Sequence, residues 1–366
     1  MVVKKAGILE ERFGVPPFSI LDAKQGYWQE RKREWKTIGI ESELGRDARS
    51  FNTKEWFEKN NMGAITNTDV SIFDPVLCEL CYKWFCTPKG KILDPFAGGS
   101  VRGIVASAFG YDYTGVDLRK EQIEANYANI PKLTIDLPIE PRWVCGDSLN
   151  ISSVGGQYDM IFSCPPYHDL EKYSDDQKDL SNMDYKMFLV KYREIIKQSI
   201  SMLKNNRFAV FVVGEIRDKN GFYKNFVGDT IQAFLDTGVG YYNDIILYTV
   251  IGSLPVRVTK QFQPYRKIGK VHQNILVFYK GDPKLCQEMD MNLNAFKPLN
   301  ELNIEKIDRD TTMHESRIIQ EESKETPTVA EEPKETTICE VCGVDYRGST
   351  KDEHESRQFH QDRING

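Results

Sequence analysis

The chain has 366 residues, of which 40% are hydrophobic and 28% are charged, so it can bury the core of a large α/β domain. No apolar run approaches the roughly 20 residues of a membrane span, and the first residues lack the apolar stretch of a secretory signal, so we expect a cytoplasmic protein with no membrane partner. The net charge is −6, but residues 301–366 hold 17 acids against 9 bases, which leaves residues 1–300 with a charge of +2. The acidity belongs to the tail, and the rest of the chain is compatible with a nucleic-acid partner.

The first 64 residues are predicted to form a helical or irregular extension, and residues 65–300 a single α/β domain. In the domain, β-rich runs alternate with amphipathic helical patterns, which is the order of a parallel sheet wrapped by helices. The strand candidates are residues 91–94, 113–117, 143–145, 159–163, 208–214, 244–250 and 274–279. The helical patterns are residues 101–109, 120–127 and 184–203. No such pattern separates the last two strands, so we predict a doubly wound, mostly parallel seven-stranded sheet that ends in an antiparallel hairpin, with a basic loop over residues 252–273 at its tip.

A glycine-rich turn follows the first of these strands. Its residues are Asp94, Pro95, Phe96, Ala97, Gly98, Gly99 and Ser100. Glycines let the backbone approach a ligand closely, and the helix that follows offers free N–H groups. The next strand ends at Asp117, whose carboxylate can accept both hydroxyls of a ribose, and the one after it ends beside Asp147, within reach of an adenine amino group. The pattern predicts a nucleoside site. No Gly-Lys-Ser/Thr follows, which excludes a P-loop, and the glycine spacing does not suit NAD.

A second motif closes the fourth strand, with the residues Ser163, Cys164, Pro165, Pro166 and Tyr167. Two prolines at the end of a buried strand indicate that the chain leaves the sheet rigidly there. Together, the two motifs resemble those of the S-adenosylmethionine-dependent amino-methyltransferases of DNA, the N4-cytosine and N6-adenine methylases. Residues 12–46 resemble the leader of such methylases carried by phages and mobile elements. The resemblance covers roughly residues 65–282 and implies S-adenosylmethionine as the cofactor and double-stranded DNA as the substrate.

The resemblance also implies a role for each motif residue. Asp74, in the helix before the glycine turn, would help to hold the methionine end of the cofactor, and residues 94–100 with Asp117 and Asp147 would hold the rest. Acceptors on Cys164, the residue before the two prolines, and on the carbonyl of Pro165 would localise the lone pair of an exocyclic amino nitrogen and aim it at the methyl group, with Pro166 fixing the turn. Tyr167 would stack on a base taken out of the duplex.

Cys164 departs from the family pattern, which has Asp, Asn or Ser before the two prolines. A thiol is a weak acceptor. Either the carbonyls of Cys164 and Pro165 carry most of the hydrogen bonding, or Ser163 is recruited by a local change of backbone, or the activity is weak or differently directed. Two further functions stay open: N-methylation of RNA or of a protein amide, and a catalytically silent DNA-binding protein that keeps the fold.

The predicted hairpin loop is basic and contains no acid, and aromatic residues are interleaved with its cations. The cations expected to contact nucleic acid are Arg257, Lys260, Arg266, Lys267 and Lys270. Cations mixed with aromatic side chains are typical of a nucleic-acid footprint. The alternative is an exposed basic loop that has no partner.

Residues 301–337 are rich in Glu, Lys, Thr and Ser, which predicts an acidic disordered linker. Residues 338–366 are too few to bury a core and need a staple. Two cysteines separated by two residues and two histidines separated by five suit a tetrahedral Zn²⁺ site, with the ligands Cys339, Cys342, His354 and His360. The segment resembles a C2H2 zinc finger, which implies a contact with protein or nucleic acid.

Overall fold

The computed structural model describes residues 8–40, 73–168, 178–249 and 254–288 and residue 299, without the side chains of residues 255–257. The chain divides into two units, Met1–Arg309 and Asp310–Gly366, and the second lies wholly outside the described residues. The predicted linker and zinc segment therefore remain predictions.

The first unit is an α/β structure. Its strands are β1 (Ile20–Asp22), β2 (Lys91–Asp94), β3 (Asp112–Asp117), β4 (Arg142–Cys145), β5 (Tyr158–Ser163), β6 (Leu203–Val213), β7 (Gly240–Tyr248) and β8 (His272–Lys280). Its helices are α1 (Ile8–Phe13), α2 (Gly26–Thr37), α3 (Pro75–Phe85), α4 (Val101–Ala108), α5 (Lys120–Asn129), α6 (Tyr185–Ser201), α7 (Phe226–Leu235) and α8 (Leu254–Tyr265). Short 3-10 segments follow β4 and β8, among other places, at Ser148–Val154 and Pro283–Glu288.

The strands form one sheet in the order β1-β7-β8-β6-β5-β2-β3-β4. Only β8, of the strands in the described ranges, runs antiparallel to its neighbours β6 and β7. This topology confirms the doubly wound, mostly parallel sheet with an antiparallel final hairpin. The strand count differs, because β1 pairs in parallel with β7, Ile20 opposite Ile246, and makes eight strands instead of seven. At 3 residues, β1 is too short for alternation to mark it.

The connection between β7 and β8 also differs from its prediction as a loop, because residues 254–265 form α8. Pro264 lies near the end of this helix, and proline is a residue that normally breaks helices. The helical pattern of hydrophobic residues covers only the 12 residues of α8, and so short a pattern is hard to distinguish from a loop. Leu254 and Val258, one turn apart, both lie close to Gly269, so the helix packs on the segment that follows it.

The sheet is covered on both faces, and its strands alternate between two hydrophobic cores. In β6, Val210 and Val212 belong to one core, and Phe211 and Val213 belong to the other. The first core also contains the fully buried Trp28 and Trp35 of α2, so part of the N-terminal extension packs on the sheet.

A buried ion network attaches α2 to α3. Glu79 is completely buried and accepts hydrogen bonds from Arg31 Nε and Nη2, both at 2.8 Å, and from Lys83 Nζ at 2.9 Å. Trp35 Nε1 donates to the same carboxylate at 3.0 Å. Burial acts to raise the pKa of Glu79, but the two cations outweigh it and hold that pKa below its usual value.

Within the described ranges, none of the helices has both the length and the apolar surface that crossing a bilayer demands. The parallel strands β2 to β5 end at Asp94, Asp117, Cys145 and Ser163, all at one edge of the sheet. In open α/β sheets this edge is where ligands bind.

Candidate active site

A cavity of about 360 Å³ opens at this carboxyl edge. One wall contains Gly98 and Gly99 of the glycine turn together with Asp117 and Asp147. The residues from Cys164 to Tyr167 also line the cavity. The two sequence motifs, about 65 residues apart in the chain, therefore meet at one cavity.

The glycine turn leaves open space on its cavity side. Gly98 has a φ of +52°, a left-handed conformation that favours glycine. Its carbonyl accepts from Asn126 Nδ2 at 2.8 Å, which holds the turn in place. A Cβ added there would approach only Arg102, at 3.8 Å. Ser100 is buried below the turn, and its hydroxyl donates to Asn129 Oδ1 at 2.9 Å.

Asp94 does not line the cavity. It is fully buried, and its carboxylate accepts from Arg102 Nε at 2.6 Å and Tyr113 Oη at 2.7 Å. The hydroxyl of Ser163 donates to it at 2.6 Å, and the backbone N–H of Phe96 at 3.1 Å. With four donors on one carboxylate, Asp94 joins the strand of the second motif to the turn of the first.

Four predicted residues therefore support the cavity without lining it: Asp94, Ala97, Ser100 and Ser163. Ala97 is buried, and its N–H donates to the carbonyl of Val116 at 2.9 Å. Pro95 and Phe96, the other two residues of the turn, do line the cavity.

Asp117 connects β3 to the glycine turn. Its Oδ2 accepts from the N–H of Gly98 at 2.9 Å, and its Oδ1 accepts from the N–H of Arg119 at 2.9 Å. A carboxylate has about four lone-pair sites, so it can still accept hydrogen bonds from a ligand. Burial raises the pKa of Asp117 above its usual value, although Arg119 and the two N–H groups act against that shift.

Asp147 lies on the same wall of the cavity. Its carboxylate accepts from the N–H of Leu149 at 2.9 Å and so caps the short helix after β4. The hydroxyl of the next residue, Ser148, donates to the carbonyl of Pro95 at 2.6 Å. The glycine turn is thus braced from β4 as well as from β3.

The turn from Cys164 to Tyr167 holds an aromatic ring at the cavity. Tyr167 Oη accepts from Gln273 Nε2 at 2.7 Å, and its ring meets Phe226 edge-on with centroids 6.1 Å apart. The thiol of Cys164 lies 3.7 Å from the same hydroxyl.

His168 fixes the end of this turn and has a φ of +50°. Its Nδ1 lies 2.8 Å from Lys224 Nζ, and its Nε2 lies 2.9 Å from the carbonyl of Met183. An ammonium group can only donate, so Nδ1 accepts and Nε2–H donates, which is the neutral form of the ring. The turn is therefore tied to the segment before α7.

Asp74 stands where α3 begins. It caps that helix through the N–H of Val76 at 3.0 Å. Its other oxygen accepts from Lys32 Nζ at 2.9 Å and from Trp28 Nε1 at 3.2 Å. Asp74 and Lys32 both line the cavity.

Lys32 and Gln273 line the cavity, although the sequence did not assign either residue to the cofactor or catalytic site. The one available signal was the spacing of Trp28 and Lys32, four residues apart on one helix, which places the lysine beside a buried tryptophan. No sequence pattern marks Gln273, because its part in the site is a hydrogen bond to Tyr167, which lies 106 positions away in the chain.

The predicted nucleic-acid contacts lie on the β7–β8 connection, which leaves and re-enters the sheet at the cavity edge through Thr249 and Gln273. Lys260 and Arg266 are exposed. Lys267 lies against Gly221, and Lys270 is half-buried, which lowers its pKa below the usual value. The Arg257 side chain is outside the described residues. The contact of these cations with nucleic acid therefore stays a prediction.

The predicted zinc ligands Cys339, Cys342, His354 and His360 lie outside the described residues. In the part of the chain that the structure describes, no three acidic, cysteine or histidine side chains converge as metal ligands. Zinc binding therefore stays a prediction about residues 338–366.

The similarity of the chain to known proteins is weak. No protein-family model matches it, and no curated protein matches its sequence. Among solved structures, TrmN from Thermus thermophilus is 12% identical over 56% of this chain and 48% of its own, with a TM-score of 0.38. A methyltransferase from Pyrococcus furiosus is 18% identical over 63% of this chain and 100% of its own, with a TM-score of 0.37. The magnesium protoporphyrin IX methyltransferase of Synechocystis PCC 6803, solved with bound S-adenosylmethionine, is 11% identical over 64% of this chain and 94% of its own, with a TM-score of 0.37.

Proposed function

We propose that this protein transfers a methyl group from S-adenosylmethionine to the exocyclic amino group of a DNA base, N4 of cytosine or N6 of adenine. The observation that carries the proposal is the single cavity shared by the glycine turn and the Cys164–Tyr167 turn. A methyl transfer needs the donor and the acceptor to meet within a few ångströms, and these two turns face one space.

The residues of the first wall fit the nucleoside part of the cofactor. The space beside Gly98 admits a ligand against the backbone, and Asp117 keeps acceptor sites for ribose hydroxyls. Asp147 lies on the same wall, where an adenine ring would lie. When bound, S-adenosylmethionine supplies an electrophilic methyl group on a sulfonium.

The second turn fits the task of orienting the amino group. The hydroxyl of Ser163 is completely buried and does not line the cavity, which argues against its recruitment as an acceptor for the substrate. The carbonyls of Cys164 and Pro165 then accept most of the hydrogen bonds from the amino protons. They orient the lone pair of the amino nitrogen toward the methyl group. Tyr167, anchored by Gln273 and Phe226, supplies a ring for the base to stack on.

The surface beside the cavity supports a nucleic-acid substrate. The side chains of Phe222 and Tyr265 are 73% and 71% exposed, and Lys267 packs against Gly221, next to Phe222. Arg217 stacks over Tyr223, with its guanidinium carbon 3.9 Å from the ring centre. Exposed rings among cations suit phosphates and bases together.

The direct test offers methyl-labelled S-adenosylmethionine to the full chain with double-stranded DNA, RNA or protein. We expect label in DNA, recovered after digestion as N4-methylcytosine or N6-methyladenine, and its loss in Tyr167→Ala. Label in RNA or in a protein amide would replace DNA by that substrate. Cofactor binding with no label in any substrate would favour a silent DNA-binding protein.

A further inference from the structure

A short hairpin, the 216–224 hairpin, stands at the carboxyl edge of the sheet. It follows the end of β6, and Arg217 pairs with Tyr223 across it in an antiparallel bridge. The N–H of Lys224 closes its base by donating to the carbonyl of Ile216 at 2.9 Å. Ile216 is buried in the core that also contains part of β6. The base of the hairpin is therefore fixed to the domain.

The hairpin contacts the segment that would hold an extruded base. Just before it, Gly214 lies so close to Tyr167 that an added Cβ would be 3.8 Å from the ring. At its other end, Lys224 Nζ donates to Nδ1 of His168 at 2.8 Å, directly after the Cys164–Tyr167 turn. The two ends of the hairpin are thus attached beside the second motif.

The tip of the hairpin is held by its own hydrogen bonds. The N–H of Gly221 donates to the carbonyl of Asp218 at 3.0 Å, and Gly221 has a φ of +91°, which favours glycine. Asp218 Oδ1 accepts from the N–H of Phe222 at 2.8 Å, and the N–H of Asp218 donates to the carbonyl of Phe222 at 2.8 Å. Arg217 Nη1 donates to the carbonyl of Gly221 at 2.7 Å. These bonds fix the backbone on both sides of Phe222.

This ordered tip presents an aromatic ring to solvent. The side chain of Phe222 is 73% exposed, whereas the backbone that carries it is fully engaged. Cations lie on either side of the ring, namely Arg217 in the hairpin and Lys267, which packs over Gly221. A flat ring on a rigid support between cations is complementary to the stacked bases and the phosphates of a nucleic acid.

The ring stands where a duplex would be open. A base taken out of the stack leaves a gap, and an apolar side chain placed between base steps can occupy such a space. Phe222 is two residues from Lys224, so at roughly 3.3 Å per extended residue it lies about 7 Å farther along the hairpin. Lys224 itself contacts His168. The ring is therefore beside the turn that would receive the base, and outside the cavity.

We infer that Phe222 fills the gap that the target base leaves in the DNA duplex. This inference rests on the proposed function, and it identifies the part of the partner that the 216–224 hairpin contacts. The ring stacks between the neighbours of the extruded base and stabilises the open duplex, without touching the reacting atoms.

The test compares two duplexes of about 25 base pairs, one intact and one with a single central abasic site, by fluorescence anisotropy. The abasic duplex already contains the gap, so the wild-type full chain should bind it about tenfold more tightly. Phe222→Ala should lose most of this preference and bind the intact duplex within about twofold of the wild type, whereas Phe222→Trp should keep the preference. Phe18→Ala is the matched control, because it removes a ring that is 61% exposed outside the hairpin, and it should also keep the preference.

Methyl transfer to DNA, measured on the same preparations, separates this inference from the proposed function. If the wild-type chain labels DNA but shows no preference for the abasic duplex, the inference fails and the proposed function stands. The same holds if Phe222→Ala keeps the preference or weakens both duplexes equally. If the wild-type chain binds neither duplex and labels no DNA, both fail. Melting temperatures of all variants exclude unfolding as the cause.

Discussion

Cys164 occupies the position where the proposed site differs most from the methylases it resembles. Its thiol lies near Tyr167 Oη and is a weaker acceptor than the oxygen those enzymes place there. The neighbouring Ser163 cannot compensate, because its hydroxyl is completely buried and does not line the cavity. The acceptors that remain are backbone carbonyls, whose position depends on the two prolines.

We expect Cys164→Ser to raise the single-turnover rate of DNA methylation about fivefold, because a neutral hydrogen bond contributes about 1 kcal/mol. Rapid-quench measurement with labelled S-adenosylmethionine reads the rate directly. The prediction fails if the serine variant is slower than the wild type at the same cofactor occupancy.

The raised pKa of Asp117 predicts a pH dependence of cofactor binding. The ionised carboxylate accepts ribose hydroxyls, so affinity should fall as the pH drops through this pKa, at a higher pH than for an ordinary aspartate. The free energy of unfolding depends on pH in the opposite direction. Because the folded-state pKa of Asp117 is higher than the unfolded one, the contribution of Asp117 to stability is present below the unfolded pKa and is lost as the pH rises through the folded pKa. Asp117→Asn should bind S-adenosylhomocysteine about tenfold more weakly, with no such pH dependence, as calorimetry from pH 4 to 8 can measure.

The helices α2 and α3 act as one unit because Glu79 of α3 pairs with the buried Arg31 of α2 as well as with Lys83 of its own helix. Glu79→Gln should lower the free energy of unfolding by about 3–5 kcal/mol, since it leaves Arg31 and Lys83 buried without an anion. The lowered pKa means that this stability is present above the unfolded pKa of about 4.5 and is lost as the pH falls through the lower folded value.

Glu34→Gln is the matched control for the Glu79 variant, because Glu34 bonds to the same arginine but its side chain is 49% exposed. It should cost less than about 1 kcal/mol. Urea unfolding at pH 7 measures both variants. Equal losses would show that burial does not decide the strength of this network.

The segment around α8 predicts a salt-dependent contact. If its cations meet DNA phosphates, Lys260→Ala and Arg266→Ala should each reduce the slope of log affinity against log salt by about 1. Lys284→Ala is the control, because β8 runs antiparallel and carries Lys284 to the opposite edge of the sheet. Fluorescence anisotropy between 50 and 200 mM salt tests this, and equal slopes for all four proteins would remove α8 from the interface.

The whole first unit is assembled from segments that are far apart in the chain. The glycine turn, the Cys164–Tyr167 turn, α2 and the β7–β8 connection all contribute residues to one cavity. Loss of any one of these segments would remove a wall of the site. The proposed activity therefore belongs to the intact unit and not to either motif alone.

The C-terminal residues 338–366 carry a separate prediction. The full chain should bind about one Zn²⁺ through Cys339, Cys342, His354 and His360, and the metal should be absent from a Cys339→Ser, Cys342→Ser double variant. Mass spectrometry of metal content measures this. DNA methylation should persist in the double variant if the cavity of the first unit is sufficient for catalysis.

Local patterns predicted much of the fold and of the candidate site. Each strand end that carries a site residue was marked by a nearby signal, such as the glycines after Asp94 or the prolines after Cys164. Parallel strands bring such ends to one edge, so the sequence by itself predicts that Asp117, Asp147 and the Cys164–Tyr167 turn surround one space.

Tertiary contacts decided the rest. Lys32 reaches a carboxylate 42 residues away, Gln273 reaches Tyr167 across 106, and β1 is a strand only because β7 lies beside it. Asp94 and Ser163 each look like site residues in their own segments, yet they bond to each other below the cavity across 69 residues. Hydrogen bonds between such distant segments, and the burial that accompanies them, produce no periodic pattern in the sequence of either segment. They can therefore be identified only in the folded structure.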